Sequence, residues 1–249
     1  MKIKKEIVIA ITVLLVFAAG LAGSQIYKSF RDRNDLATRI RILGAGGPPE
    51  TIEGLKTAIA AYERQIEAHV RDAAQTGIYY KILAVRLQDR SLHNQALEAL
   101  QQALYYTPDD ATLHYMAGLS LAITAKSHTG FSRTDNVTRS RLYAQAEESY
   151  LRAIELDSRY ARPLYGLGIL YVFELDRPNE AIPHLERYLE LSRNDTDSMF
   201  VLARAYFVTG EFQKALDVYN RLITFSSMDD TRKTEARNNR QIVMELLNG

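Results

Sequence analysis

The chain has 249 residues, a formal net charge of +1 and no cysteine. Hydrophobic residues make up 47% of the chain and charged residues 24%, which is typical of a folded protein and excludes wholesale disorder. The missing cysteine excludes disulfides, thiolate zinc sites and thiol nucleophiles. The near-neutral charge gives no support to a nucleic-acid binder that works by bulk electrostatics.

Residues 7–27 form an uncharged, largely apolar run that follows a basic N-terminus. A helix of ~20 residues spans the ~30 Å hydrocarbon layer of a bilayer, and this run is long enough to do so. We therefore interpret residues 7–27 as a single transmembrane helix. A cleavable secretory signal is the alternative, since small residues such as Gly20, Ala22 and Ser24 suit a cleavage site. A buried core helix is a third, weaker interpretation.

The charges flanking residues 7–27 bear on the membrane orientation. Residues 1–41 hold 8 Lys/Arg and 3 Asp/Glu, which leaves 23 and 27 for the rest of the chain. Basic residues occur on both sides of the apolar run. The numbers of Lys and Arg on the two sides are close, so they favour neither membrane orientation clearly. We place the N-terminus inside because Lys2, Lys4 and Lys5 form the extreme N-terminal patch. The remaining chain is then expected in the periplasm or outside the cell, and a cytoplasmic-facing chain remains open.

Residues 28–49 are predicted to form a stalk and a linker. Charged and aliphatic residues alternate up to Leu43, and the sequence GAGGPP at 44–49 then stops any helix. Beyond Pro49 the pattern is one of helices with apolar residues three and four positions apart, and strand-like alternation is almost absent.

Two segments of equal length, 77–110 and 196–229, share one pattern of small and large residues. Small residues recur in the first half of each unit, at Ala84, Gly118, Gly168 and Ala203. Alanines recur in the second half, at Ala96, Ala146, Ala181 and Ala215. Such positions allow two antiparallel helices to approach closely, while aromatic residues fill the space between successive pairs.

This pattern resembles the tetratricopeptide repeat (TPR), a unit of about 34 residues that folds as two antiparallel helices. The resemblance implies an all-α fold, a TPR-type α-solenoid, over residues 50–249. The predicted units are a half-repeat at 51–76, repeats at 77–110, 111–160, 161–195 and 196–229, and a capping helix at 230–248. The repeat at 161–195 has one extra residue between its two motifs, and the repeat at 111–160 has a longer insertion at 126–141.

The insertion at 126–141 is predicted to form a surface loop. It is basic, and its candidate binding residues are Lys126, Arg133, Arg139 and Arg141. A loop of this charge suits an acidic partner or lipid headgroups. A solvated loop without a binding role is the alternative.

The sequence supports no catalytic or metal-binding motif. The five histidines show no HExxH or paired spacing, and no nucleophile elbow, Walker loop or kinase signature occurs. We therefore expect no enzyme activity, no metal and no cofactor.

The remaining expectation is binding, and the resemblance implies where it occurs. In this family, repeat positions 2, 5, 9, 12 and 13 point into a concave groove. The candidate groove residues are Lys81, Tyr115, Tyr165, Ile169, Phe173, Phe200, Arg204 and Phe207. They predict a membrane-tethered scaffold that binds protein segments in an apolar, aromatic groove. The alternative is a component of a transport system that holds an apolar small molecule. The sequence leaves the partner and the oligomeric state undetermined.

Overall fold

The computed structural model describes residues 51–128, 133–225 and 228–248. These residues form helices and short connections, without β-strands among them. The helices are α1 (Ile52–Asp89), α2 (His93–Tyr106), α3 (Ala111–Ser127), α4 (Arg133–Leu156), α5 (Ala161–Ile169), a π-helical turn (Leu170–Glu174), α6 (Pro178–Leu191), α7 (Thr196–Val208), α8 (Phe212–Ile223) and α9 (Asp230–Asn248). The prediction of an all-α, TPR-like fold is confirmed.

The predicted membrane segment at 7–27 and the predicted stalk and linker at 28–49 lie outside the described residues. Among the helices that are described, none is both long enough and apolar enough to cross a bilayer. The chain divides after Val70 into two units, and the larger unit, Arg71–Gly249, contains the packed helix pairs.

Successive helices of the larger unit pack in antiparallel pairs, α3 with α4, α5 with α6 and α7 with α8, and α9 packs on α8. The small residues that define the repeat pattern make this close packing possible. All eight of them are buried: Ala84, Ala96, Gly118, Ala146, Gly168, Ala181, Ala203 and Ala215. A helix pair can approach this closely only where neither backbone carries a large side chain.

The ring of Tyr150 on α4 fills the space beside two glycines on neighbouring helices. A Cβ atom on Gly118 of α3 would lie 2.7 Å from Tyr150 Cδ1, and one on Gly166 of α5 would lie 2.8 Å from Tyr150 Cζ. Tyr150 is only 2% exposed. One ring therefore joins the second repeat to the third, and both glycines are required by its size.

Helix α1 differs from the predicted arrangement because it continues through the expected boundary between residues 76 and 77. Gly77 does not end the helix. It is buried, and a Cβ atom there would lie 2.9 Å from Tyr106 Cβ. The glycine therefore serves close packing and not helix termination. In the first half of α1, within the smaller unit, the apolar side chains of Leu55, Tyr62 and Ile66 are exposed.

The insertion at 126–141 is largely helical, so the prediction of a surface loop was wrong for most of it. Helix α3 extends to Ser127 and α4 begins at Arg133. Residues 133–141 contain neither glycine nor proline, and nothing in them stops α4 from extending toward its N-terminus. Residues 129–132 lie outside the described part of the chain.

The extra residue of the third repeat is accommodated by the π-helical turn. The Leu175 N–H donates to the Leu170 carbonyl five residues earlier, at 3.0 Å. A single inserted residue commonly produces such a turn because the helix widens locally instead of breaking. The chain then leaves the helix at Asp176, which has a φ of +53°.

Gly168 offers a direct test of the repeat packing. A Cβ atom there would lie 2.6 Å from Leu185 Cγ on α6. We expect Gly168→Leu to lower the free energy of unfolding by at least ~1–3 kcal/mol through overpacking. Denaturant unfolding measures the change, with Ala144→Leu on the exposed face of α4 as the control. An unchanged midpoint for Gly168→Leu contradicts this packing.

Candidate functional site

The structure separates the eight predicted groove residues into three places. Phe173, Phe200, Arg204 and Phe207 line one cavity, Tyr115, Tyr165 and Ile169 line a second cavity, and Lys81 lies in neither. We call these the C-terminal cavity and the central cavity. Tyr165 therefore lines a different cavity from Phe173, Phe200 and Phe207, and the binding role of these residues stays a prediction.

The C-terminal cavity has a volume of about 300 Å³ and lies between α7 and α9. Phe200 and Phe207 are half-buried. Their rings contact Tyr219 and Phe212 edge-on, with centroids 6.4 and 5.8 Å apart. Phe173 is more open, with 49% of its surface exposed. The cavity thus combines two partly packed rings with one that is available for contact.

Arg204 is the principal polar group of the C-terminal cavity. Its guanidinium lies 5.4 Å from the centroid of the Phe173 ring, a cation–π arrangement. Arg204 is exposed and forms no ion pair with any residue of the described ranges. Arg232, by contrast, covers the Phe200 ring at 4.9 Å and pairs with Asp197. The guanidinium of Arg204 therefore keeps its N–H donors available for an acceptor on a bound molecule.

The central cavity has a volume of about 290 Å³ and lies between α3 and α5. Its apolar lining includes Tyr115, Leu119, Ala122, Ile123, Tyr150, Tyr165, Gly166, Ile169 and Leu170. Charged groups lie at its rim. Lys126 and Glu174 form an ion pair of 3.5 Å there, and Arg162 is exposed.

The aromatic rings of the central cavity are held in place by other rings. Tyr115 contacts Tyr150 and Tyr160, with centroids 6.1 and 5.4 Å apart. Tyr165 stacks on Tyr188 at 5.2 Å. Burial raises the pKa of Tyr115 and of Tyr165 above the usual tyrosine value, so both phenols are neutral at physiological pH. These contacts preform the walls of the cavity.

Lys81, which was predicted to line the groove, supports a helix start instead. Its Nζ donates to Asp110 Oδ2 at 2.6 Å. Asp110 is the N-cap of α3, because its Oδ1 accepts the backbone N–H groups of Thr112 and Leu113 at 2.8 and 3.2 Å. Burial by itself raises the pKa of Asp110, but the hydrogen bond and charge of Lys81, with the two backbone bonds, lower it overall.

The four residues of the predicted basic loop lie in two separate places, and only Lys126 lines the central or the C-terminal cavity. Lys126 lies at the rim of the central cavity, whereas Arg133, Arg139 and Arg141 lie on the first turns of α4. Arg139 donates to the Asn136 side chain of the same helix at 3.0 Å. Their binding role stays a prediction.

The histidines of the described helices have individual local contacts. The ring of His114 lies 2.8 Å from the Pro108 carbonyl, and His184 packs beside Tyr171 with centroids 5.9 Å apart. Burial lowers the pKa of His184. No group of three or more potential metal ligands occurs among the residues that the structure describes.

Two kinds of lining residue were missing from the sequence-based selection. Ile123 and Arg162 stand at repeat positions 13 and 2, so the positional pattern pointed to them although we did not select them. Glu235, Asn239 and Ile242 come from α9 and line the C-terminal cavity. Since α9 is a capping helix outside the repeat pattern, no periodic signal marked these three.

The sequence matches known repeat families over its central and C-terminal parts. Two family models, each described as tetratricopeptide repeat, match residues 138–196 and 172–224. Residues 138–224 therefore match the tetratricopeptide repeat, as their residue pattern predicted.

Two related proteins match this chain at low sequence identity. The "TPR repeat-containing protein" of Borreliella burgdorferi is 19% identical over 83% of this chain and 89% of that protein. Subunit 3 of the anaphase-promoting complex from Schizosaccharomyces pombe is 26% identical over 129 residues. That match covers 52% of this chain but only 17% of the subunit.

Solved structures show the same fold. YrrB, described as a TPR protein with an unusual peptide-binding site, is 23% identical with a TM-score of 0.57, over 76% of this chain and 84% of that one. MamA from Desulfovibrio magneticus RS-1, residue 41 to its end, is 17% identical with a TM-score of 0.53, over 70% of this chain and 96% of that one.

The Lys81–Asp110 pair gives a pH-dependent test of the α3 cap. Asp110→Asn keeps a capping side chain but removes the charge that pairs with Lys81. The pKa of Asp110 is lower in the folded chain than its ordinary value of 3.8. Its ionic contribution to stability is therefore fully present above that value and is lost as the pH falls through the folded pKa.

We expect Asp110→Asn to be less stable than the wild type by about 1 kcal/mol or less at neutral pH. The difference should shrink as the pH falls below the ordinary value of 3.8 and through the lowered pKa of Asp110, as the wild-type carboxylate takes up its proton. Asp110→Ala also loses the cap and should cost a further ~0.5–2 kcal/mol at every pH. Urea unfolding across this pH range checks both variants. A difference that does not change with pH contradicts the ionic role of Asp110.

Proposed function

We propose that the tetratricopeptide repeats of this chain form a scaffold that binds an extended protein segment along the central and C-terminal cavities. The observation that carries the proposal is a pair of cavities of similar size, one largely apolar and one of mixed aromatic and polar lining, on the two sides of the α5 helix and its π-helical turn. Ile169 lines the central cavity, and Phe173, one turn later, lines the C-terminal cavity.

The size of the cavities favours side chains over a whole ligand. Drug-sized molecules occupy clefts of roughly 300–1,000 Å³. The two cavities, at about 300 and 290 Å³, lie at the bottom of this range, and each suits one apolar or aromatic side chain. A protein segment with two such side chains on one face fills both cavities at once.

The arginines at the two cavities indicate which polar groups of the segment they bind. Arg204 lies in the C-terminal cavity and Arg162 at the rim of the central cavity, and neither forms an ion pair within the described residues. Guanidinium groups donate to carboxylates and to backbone carbonyls. We expect Arg204 to bind a carboxylate or a carbonyl beside the side chain that contacts Phe173. The fold shared with YrrB is consistent with a segment-binding role.

Phe173→Ala tests the proposed anchor. Aromatic anchors often contribute ~2 kcal/mol or more to binding, which corresponds to roughly a 30-fold loss of affinity. Since about half of the Phe173 surface is exposed, we expect the free energy of unfolding to change by less than ~1 kcal/mol. The measurement is crosslinking in intact cells, followed by affinity purification of the full chain and quantitative identification of the captured proteins.

The matched control for Phe173→Ala is Tyr105→Ala, an aromatic residue that is 79% exposed and lines neither cavity. The control variant should retain the partner that the Phe173 variant loses. Equal capture by both variants, with both folded, would falsify the groove as the binding site.

A small-molecule site is the second candidate, and the central cavity is the observation that favours it. Its aromatic walls are preformed, and its lining is largely apolar. In this case the chain is the ligand-binding component of a transport system. Native mass spectrometry of the purified chain distinguishes the candidates. A bound apolar compound increases the mass of the chain by a small, fixed amount, whereas a bound protein partner increases it by the mass of a whole protein.

We also propose that residues 7–27 anchor the chain in the cytoplasmic membrane with the repeats in the periplasm. The support is the long uncharged run that follows Lys2, Lys4 and Lys5. Secretion to the periplasm after signal cleavage is the alternative.

A reporter fused after Gly249 tests this orientation. A reporter that is active only in the periplasm should be active in the fusion, and one that is active only in the cytoplasm should be silent. The reverse result, at normal expression, contradicts the orientation. The mass of the mature chain separates the two forms, since signal cleavage removes ~22–24 N-terminal residues whereas an anchor stays intact.

A further inference from the structure

The first half of α1 carries an exposed apolar stripe that the proposed function does not use. It consists of Ile52, Leu55, Ile59, Tyr62 and Ile66. These five side chains are 37–75% exposed. We call them the α1 stripe. All of them precede Arg71, in the smaller of the two units.

The spacing of the α1 stripe is that of a coiled-coil seam. The intervals are three, four, three and four residues, and a further interval of three leads to His69. An alternation of three and four residues places the five side chains in one row along the helix, as at the a and d positions of a coiled coil, and exposed Val70 lies beside the end of that row. An apolar seam of this length is normally covered by a protein surface.

We propose that the α1 stripe binds the α1 stripe of a second copy of this chain, with the two helices antiparallel. In this register Ile59 lies opposite Tyr62 of the second copy, and Leu55 lies opposite Ile66. Ile52 then lies opposite His69 at each end. The arrangement gives six layers between positions 52 and 69, a length of about 26 Å at the rise of an α-helix.

Charge complementarity selects the antiparallel arrangement and its register. Lys56 and Glu63 both flank the seam on the same side. In the antiparallel register, Lys56 lies beside Glu63 of the second copy, with an axial offset of about 3 Å, and the two-fold symmetry produces the pair twice. Within one chain, Lys56 pairs with Glu53 at 3.7 Å, with both side chains largely exposed.

Other arrangements lack this complementarity. A parallel pair places His69 opposite His69 and leaves Lys56 without an acidic residue across the seam. Sliding the antiparallel helices by one heptad brings either two Lys56 or two Glu63 side chains together, and like charges in such positions are unfavourable. The proposed register is the one that satisfies both the apolar layers and the flanking charges.

The mass of the full chain in solution tests this interface. We expect multi-angle light scattering of the purified full chain in detergent micelles to give a protein mass of two copies. Ile59→Asp should reduce it to one copy, because the substitution places a carboxylate in two central layers. Val137→Asp, at an exposed apolar position on α4, is the control and should leave the dimer intact. A monomeric wild type, or a dimer that survives Ile59→Asp, overturns the proposal.

A charge exchange tests the orientation. Lys56→Glu and Glu63→Lys should each weaken the dimer, by about tenfold in dissociation constant, because each places like charges together. The double variant Lys56→Glu/Glu63→Lys should restore the wild-type constant, since both symmetric pairs form again with their charges exchanged. Additive weakening in the double variant overturns the antiparallel register. Sedimentation equilibrium over a range of concentrations measures all four proteins.

Discussion

The Tyr150 ring determines how closely the second and third repeats approach. It fills the space where Cβ atoms of Gly118 and Gly166 would lie, at 2.7 and 2.8 Å from its ring atoms. The central cavity depends on this contact, because Tyr150 and Gly166 both line it and the cavity walls come from α3 and α5. A larger residue at either glycine moves a wall of the cavity, so packing and binding surface are coupled through one side chain.

The π-helical turn distributes the residues of one helix between both cavities. Ile169, before the turn, lines the central cavity, whereas Phe173, inside it, lines the C-terminal cavity. Glu174 accepts the Tyr143 hydroxyl at 2.6 Å and pairs with Lys126 at 3.5 Å, which ties the turn to α3 and α4. The insertion therefore has a structural consequence beyond its own repeat.

The tyrosine-rich core keeps its polar groups satisfied through carboxylates near the helix surface. Tyr171 donates to Glu147 at 2.8 Å, and Tyr188 donates to Asp195 at 2.6 Å. Burial and the bond to Asp195 together raise the pKa of Tyr188 to about 12. Asp195 also caps α7 through the Ser198 N–H. Each phenol thus packs its ring between helices while its hydroxyl joins one helix to another, which suits tyrosine better than phenylalanine.

The sequence by itself determined the helical fold and the repeat register, because helical periodicity and the small residues at close approaches, such as Gly168 and Ala203, are local signals. Seven of the eight groove residues that it selected line one of the two cavities. Only the tertiary structure decided that the groove is divided, since α9 supplies a wall without any repeat signal. It also showed that Lys81 binds Asp110 and that Gly77 packs against Tyr106. These outcomes depend on contacts between residues roughly 30 positions apart, and local spacing does not encode which side chain another helix brings beside a given residue.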